Sequence, residues 1–266
     1  MSTNTWSDTT KELPVLFIGH GSPTTVVDDN PFRPAWESFT KTLPKPKAIL
    51  SISAHWFTKG NKITAMETPR TIYDFYGFPK YMYELKYPAA GSPSLAKLIA
   101  DNSGGSISLD YEWGFDHGTW CVLKPMYPAA DIPVLQLSLD KNASAEEHFK
   151  LGQQLRYLRK KGVLIMASGN IVHNLKTVDF SNTKKYSWAT EFDAHIWAAL
   201  ERRDFGTVID YKIGGKKALL SVPTPDHYYP LLVALGAVDK TEKIENITEG
   251  ICLGSISMRS LCFGEV

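Results

Sequence analysis

Four short apolar runs mark the chain at residues 14–19 (PVLFIG), 48–54 (AILSISA), 133–139 (PVLQLSL) and 163–168 (VLIMAS). Each is rich in Val, Ile and Leu and alternates little with polar residues, the pattern of strands covered on both faces. Helical periodicity fills two of the intervals, at Ser94–Asn102 and Ser144–Lys161. The second carries acidic residues early and basic residues late, where the helix dipole favours them. Two further helices are predicted at Trp188–Arg203 and Tyr228–Leu235, the latter introduced by Pro225 and Asp226, with Asp226 as the expected cap. The stretch 250–263 alternates in part and predicts an edge or antiparallel strand. This βαβ-like order predicts an α/β fold, a single domain with a central, largely parallel or mixed sheet flanked by helices.

No repeat, low-complexity tract or linker breaks the pattern, so residues 14–266 read as one domain behind a polar, loose leader at 1–13. Residues 56–92 depart from it. Trp, Phe, Tyr, Pro and Gly crowd into TPRTIYDFYGFPKYMYELKYPAAGSP with little periodicity of either kind. Long aromatic segments of this sort are functional loops or packed lids; the plainer alternative is a surface loop pinned by its own rings.

With 29 Lys and Arg against 28 Asp and Glu in 266 residues, no net field favours nucleic acid or an anionic membrane. A small molecule is the expected partner. No stretch reaches the roughly 18 apolar residues of a membrane span, and the start of the chain lacks the basic and apolar regions of a secretory signal. Three cysteines without a CxxC pair fit neither a disulfide framework nor a zinc ribbon, which predicts a reducing, cytoplasmic setting.

Chemistry concentrates in the histidines. His20, His55 and His173 each stand where a strand-like run stops, and parallel sheets place their ligand sites beyond the carboxyl ends of strands. Imidazoles gathered there point to a metal centre. His20 lies in GHGSP, where glycines permit a sharp turn; a backbone anion nest is the alternative. His55, in SAHW, gains weight from sharing the strand-end position. His173, in SGNIVHN, is flanked by amides that could orient its ring, and suits either a ligand or a base. His227, in PTPDHYYPLL, sits at a helix start, with packing among tyrosines and prolines as the alternative. His117, in WGFDHGTW, adjoins Asp116, and a carboxylate neighbour suits an acid–base residue. His148 and His195 fall within amphipathic helices and read as packing or surface residues. Phosphate loops, the nucleophile elbow and HExxH are all missing from the sequence.

GHGSP, SAHW, ETPRTIYDFYGFP, WGFDHGTW, SGNIVHNL and PTPDHYYPLL, in this order from about Pro14 to the C-terminus, resemble the 4,5-DOPA extradiol dioxygenase family, of the class III ring-cleaving dioxygenases. The resemblance implies one divalent metal ion per chain, Fe(II) for turnover and Zn(II) as isolated, opening a catechol ring beside its two hydroxyls with O2. It implies His20, His55 and His227 as ligands, with His173 as a fourth ligand or a base and His117 as the acid–base residue. Where the usual oxygenase triad has two His and a carboxylate, the third position here is His227, leaving a bound catecholate to complete the charge balance. Tyr73, Phe75 and Phe78 are expected to wall the catechol pocket by stacking. A monomer or small homo-oligomer is expected. A zinc hydrolase and a non-catalytic binding protein on the same fold are the rival readings.

Overall fold

The apolar runs form the middle of a sheet. In the computed structural model, which describes residues 6–266, the chain begins with β1 (Val15–Gly19), α1 (Phe32–Thr40), β2 (Ala48–Thr58), β3 (Asn61–Thr64) and β4 (Arg70–Thr71). It continues through α2 (Pro93–Asn102), β5 (Ile107–Asp110), β6 (Gly114–Phe115), α3 (His117–Met126), β7 (Val134–Asp140), α4 (Ala145–Leu155) and β8 (Val163–Gly169). It ends with α5 (Ser187–Glu201), α6 (Phe205–Ile209), α7 (Gly215–Ser221), α8 (Tyr229–Gly236), β9 (Ile244–Thr248), β10 (Ile251–Cys252), β11 (Ile256–Ser257) and β12 (Ser260–Phe263).

Among the described residues eight strands form one sheet, in the order β5-β3-β7-β2-β8-β1-β12-β9. The four runs seen in the sequence are its contiguous parallel centre, β7-β2-β8-β1. On one flank β3 is antiparallel to β7; on the other β12 is antiparallel to β1 and to β9. The sheet is therefore mixed, and the antiparallel strand expected near the C-terminus is β12, one place in from the edge that β9 supplies.

Both faces are buried, which is why the central strands lack polar alternation. Val15, Phe17, Leu50, Ile52, Ile165 and Ala167 pack on the side of α4, α5 and α8, while Leu16, Ile18, Ile49, Leu164 and Met166 pack on the side of Trp36 of α1 and Trp120 of α3. α4 starts on a full capping box between Ser144 and Glu147 and ends in a 3-10 turn that stops at Gly162 in the left-handed region. α8 begins later than its sequence suggested: Tyr228 occupies the cap position without capping the helix through its side chain, and Asp226 is engaged elsewhere. Of the leader, residues 1–5 lie outside the described residues, but from Trp6 onward the chain is not loose. Trp6 is buried and donates its indole N–H to Ser94, and the Lys161 ammonium caps its carbonyl. No helix among the described residues is long and apolar enough to cross a membrane.

Candidate metal centre

Because β2, β8 and β1 are parallel neighbours, their carboxyl ends share one edge, and three histidines arrive there by three routes. His20 follows β1 directly, after which Gly21 takes a φ of +66°, open to glycine at little cost. His173 follows β8 after a short loop. His55 does not end its strand, since β2 runs on to Thr58. Its pairing with β7 instead jumps from Ile52↔Leu137 to Phe57↔Leu139, so β2 advances five residues (52 to 57) while β7 advances two (137 to 139). The displaced residues between bulge away from the ladder and re-aim the imidazole. Two more arrive from helices: His117 opens α3, and His227 precedes α8.

The five rings converge. Ring centroids of His20 and His55 are 5.0 Å apart, those of His55 and His117 3.8 Å, and His227 lies 4.8 Å from His55 and 5.4 Å from His20. His173 lies face to face on His227, 3.5 Å between centroids and 6° from parallel. One ring nitrogen from each of His20, His55 and His117 falls within 4.8 Å of the other two. His20, His117 and His227 are buried, and His55 nearly so.

Hydrogen bonds at the outer nitrogens fix what the inner nitrogens offer. Ser168 gives its single proton to the carbonyl of Gly118 (2.5 Å), so its contact with His20 Nδ1 (3.0 Å) requires the imidazole to donate. A carboxylate only accepts, so Asp74 Oδ2 takes the proton of His117 Nδ1 (2.9 Å); His55 Nδ1 lies 3.3 Å from the same oxygen, a charge contact and not a hydrogen bond. Asp226 Oδ2 likewise takes the proton of His227 Nδ1. His20, His117 and His227 thereby each carry a proton on Nδ1 and turn Nε2 inward. The Nε2 atoms of His20 and His55 lie within hydrogen-bond reach of each other at 3.0 Å, and His227 Nε2 is buried without a hydrogen-bond partner. Such a donor set is incomplete without a cation, and its residues fit a divalent metal.

The electrostatics oppose charge on three of the rings. Burial, then the charges of His227, His117 and His173, hold His20 well below the ordinary imidazole range. Burial, then His117, His227 and His20, do the same for His55; burial and His227 lower His173. Burial alone would raise Asp74, but hydrogen bonds from the His117 ring and backbone outweigh it and keep the carboxylate ionised. Asp226 is held well down in the same way: its bond to His227 overcomes burial.

Several sequence expectations are corrected here. Asp116, the neighbour expected to serve His117, turns away to Ser53 Oγ (2.7 Å), Gln136 and the N–H of Thr119 as the cap of α3; burial, then Asp74, raises it to about 6. The carboxylate that pairs with His117 is Asp74, which sequence reasoning missed although it lies in the aromatic motif. The amides near His173 do not orient its ring: Asn170 donates to the Ser257 carbonyl and Asn174 to the Leu220 carbonyl, fixing backbone instead. Phe75 does reach the cluster, edge-on to His117 at 5.7 Å, with Phe78 packed on Phe75 at 5.1 Å. Tyr73 stands one layer back, against Phe75 and Trp120, its hydroxyl on the Leu85 carbonyl. His148 is buried and stacked on Tyr229, and His195 is exposed on α5, both apart from the centre.

Comparison with known proteins adds to this geometry. The family model described as the catalytic LigB subunit of aromatic ring-opening dioxygenase matches residues 14–260. The chain is 47% identical over 261 residues to a 4,5-DOPA dioxygenase extradiol of Escherichia coli K12, covering 95% of both proteins. It is 41% identical to the Beta vulgaris protein of the same name, over 87% of this chain and 89% of that one. A crystal structure of an uncharacterized protein from Escherichia coli K12 superposes with a TM-score of 0.83 at 43% identity, covering 95% of this chain and all of the other.

Proposed function

The chain belongs to the LigB family of aromatic ring-opening dioxygenases, and from that we propose that it is a metal-dependent extradiol dioxygenase acting on a catechol of the L-DOPA type. Residues 14–266 form its catalytic domain in this reading, the product is a ring-opened semialdehyde, and the setting is cytoplasmic, in keeping with three free cysteines. The observation that carries the metal dependence is the convergence of five imidazoles, three with their outer nitrogens held by acceptors and one, His227, with a buried and unpartnered Nε2.

We assign His20, His55 and His227 as the ligands, with Fe(II) for turnover; the higher affinity of zinc for nitrogen-rich sites makes Zn(II) the ion expected after isolation. When bound, the iron would hold a catecholate and O2 together and conduct electrons from the ring to the oxygen. His117, its Nδ1–H anchored on Asp74, presents a free Nε2 that accepts a proton from an incoming hydroxyl and returns it as the ring opens. His173, stacked on His227, is the second base at the edge of the cluster. Phe75, edge-on to His117, offers a surface for the aromatic substrate. The missing ligand carboxylate is partly compensated by Asp226, one hydrogen bond behind His227, and by Asp74, in charge contact with His55, so the substrate need not supply all the balancing charge.

The 4.8 Å grouping of His20, His55 and His117 favours a second ligand set with His117 in place of His227. Single substitutions decide between them. His227→Ala should lose bound metal and His117→Ala should keep it while losing turnover; the reverse pattern would establish the second set. Loading wild-type protein with Fe(II) without oxygen, then adding L-DOPA and air, should give O2 uptake and a yellow semialdehyde. Protein holding one iron per chain that opens no catechol tried would refute the reading.

A further inference from the structure

We propose that Asp74 is the positioning residue that sets the tautomer of two histidines at once, fixing His55 as a metal ligand and His117 as a proton acceptor from one carboxylate. This rests on the metal-centre reading given above. Asp74 follows β4, whose pairing with β6 (Arg70↔Gly114, Thr71↔Phe115) ties its segment to the chain that runs straight into His117. The tie is extended by the N–H of Ile72 on the Phe115 carbonyl (2.7 Å) and the Trp120 indole on the Ile72 carbonyl (2.9 Å). The carboxylate is thus delivered by a braced segment. Its Oδ1 accepts the backbone N–H of His117 at 2.8 Å, while Oδ2 accepts the Nδ1–H of His117 and stands 3.3 Å from His55 Nδ1, where a bare nitrogen lone pair would be repelled by the carboxylate charge.

Both hydrogen-bond partners are donors on His117, so both oxygens must be acceptors, and an amide cannot replace them. In Asp74→Asn, an NH2 placed at Oδ1 opposes the His117 N–H. Placed at Oδ2 it meets His117 Nδ1, which can then only accept, so its proton moves to Nε2 and closes the inward lone pair, while His55 Nδ1 loses the negative charge beside it. Asparagine therefore keeps size and polarity but reverses the hydrogen-bond direction. That separates positioning from packing.

Long-range proton–nitrogen correlation spectra of metal-free, 15N-labelled protein read the tautomer of each histidine directly, and competition with a chelator gives the zinc affinity. Wild type should show Nδ1–H at both His55 and His117. Asp74→Asn should switch at least one ring to Nε2–H and weaken zinc binding by about 10- to 100-fold, with circular dichroism and melting temperature close to wild type. Wild-type rings as Nε2–H at either position, or Asp74→Asn with unchanged tautomers and zinc affinity, would overturn the proposal. Should Asp74→Asn fail to fold, Asp74→Ala takes its place: a loss of zinc affinity with mixed tautomers at both rings supports the assignment, and full affinity rejects it. Neither readout involves O2 or a catechol. Failure of iron-loaded wild type to open any catechol would remove the dioxygenase reading and leave the Asp74 assignment to stand or fall on its own result.

Discussion

Ser168 has one proton and two neighbours, and how it divides itself between them determines which nitrogen of His20 is free. The proton goes to the Gly118 carbonyl, leaving an oxygen lone pair for the His20 Nδ1–H. Gly118 cannot yield: a methyl there would run into Ser53 Oγ and come within 3.0 Å of His55 Cδ2. Ser168→Ala should strand a buried Nδ1–H, lowering stability by about 1–3 kcal/mol and zinc affinity by about tenfold. Denaturant unfolding and chelator competition measure the two separately. Unchanged zinc affinity would show that His20 holds its tautomer without the serine. Nothing in VLIMASG distinguishes this serine from Ser51 or Ser53, also at buried strand positions. Its role exists only once β8 lies beside β1 and α3 has been laid over their ends.

At the scale of elements, the segment from Arg70 to Tyr87 is a wall built of rings. Phe75 packs on Phe78, Tyr83 and Tyr73, and turns an edge toward His117. Truncating Phe75 and Phe78 together to Ala should raise the Michaelis constant for a catechol several-fold with a smaller change in kcat, since it removes substrate contacts and leaves the outer hydrogen bonds of the histidines in place. Steady-state kinetics on iron-loaded protein decide it; unchanged constants would assign the segment to structure alone. That this stretch mattered was legible from its composition, and the four central strands were legible because burial on both faces leaves unbroken apolar runs. α3 was not. HGTWCVLKPM is buried along most of its length and carries Gly118 and Pro125, so it shows neither an amphipathic stripe nor a helix-forming composition. The pairing of Asp74 with His117 spans 43 residues and depends on β4 meeting β6, two-residue strands with no periodicity to detect. Asp116, adjacent in sequence, was the nearer candidate, and the capping requirement of α3 claimed it.

Across the whole molecule, Arg159 joins parts of the chain far apart in sequence. It is 2% exposed at the end of the turn after α4, and its guanidinium donates to the Leu13 carbonyl ahead of β1, to the Ala237 carbonyl after α8, and to both oxygens of Glu242 ahead of β9. The start of β1, which delivers His20, and the far end of α8, which follows His227, are thus held by one cation. Removing its carboxylate should leave a buried charge short of a partner, a change of about 3 kcal/mol when such a pair is broken outright and less where an amide keeps one hydrogen bond. The effect carries a pH signature. Burial would raise Glu242, but the hydrogen bond from Arg159 and the Asp239 N–H outweigh it and hold the carboxyl below its ordinary value of 4.5. A group depressed on folding stabilises the native state above its unfolded value, and that contribution is lost as pH falls through the folded one. Glu242→Gln should therefore unfold more readily than wild type at pH 7, with the difference shrinking as pH falls below 4.5 and vanishing once the wild-type carboxyl is protonated. Urea unfolding of both proteins from pH 7 down to pH 3 follows this directly. A difference that stays constant with pH would mean that Glu242 acts through packing, and that the charge on Arg159 is satisfied by the Leu13 and Ala237 carbonyls and by Glu12, which lies 3.6 Å away.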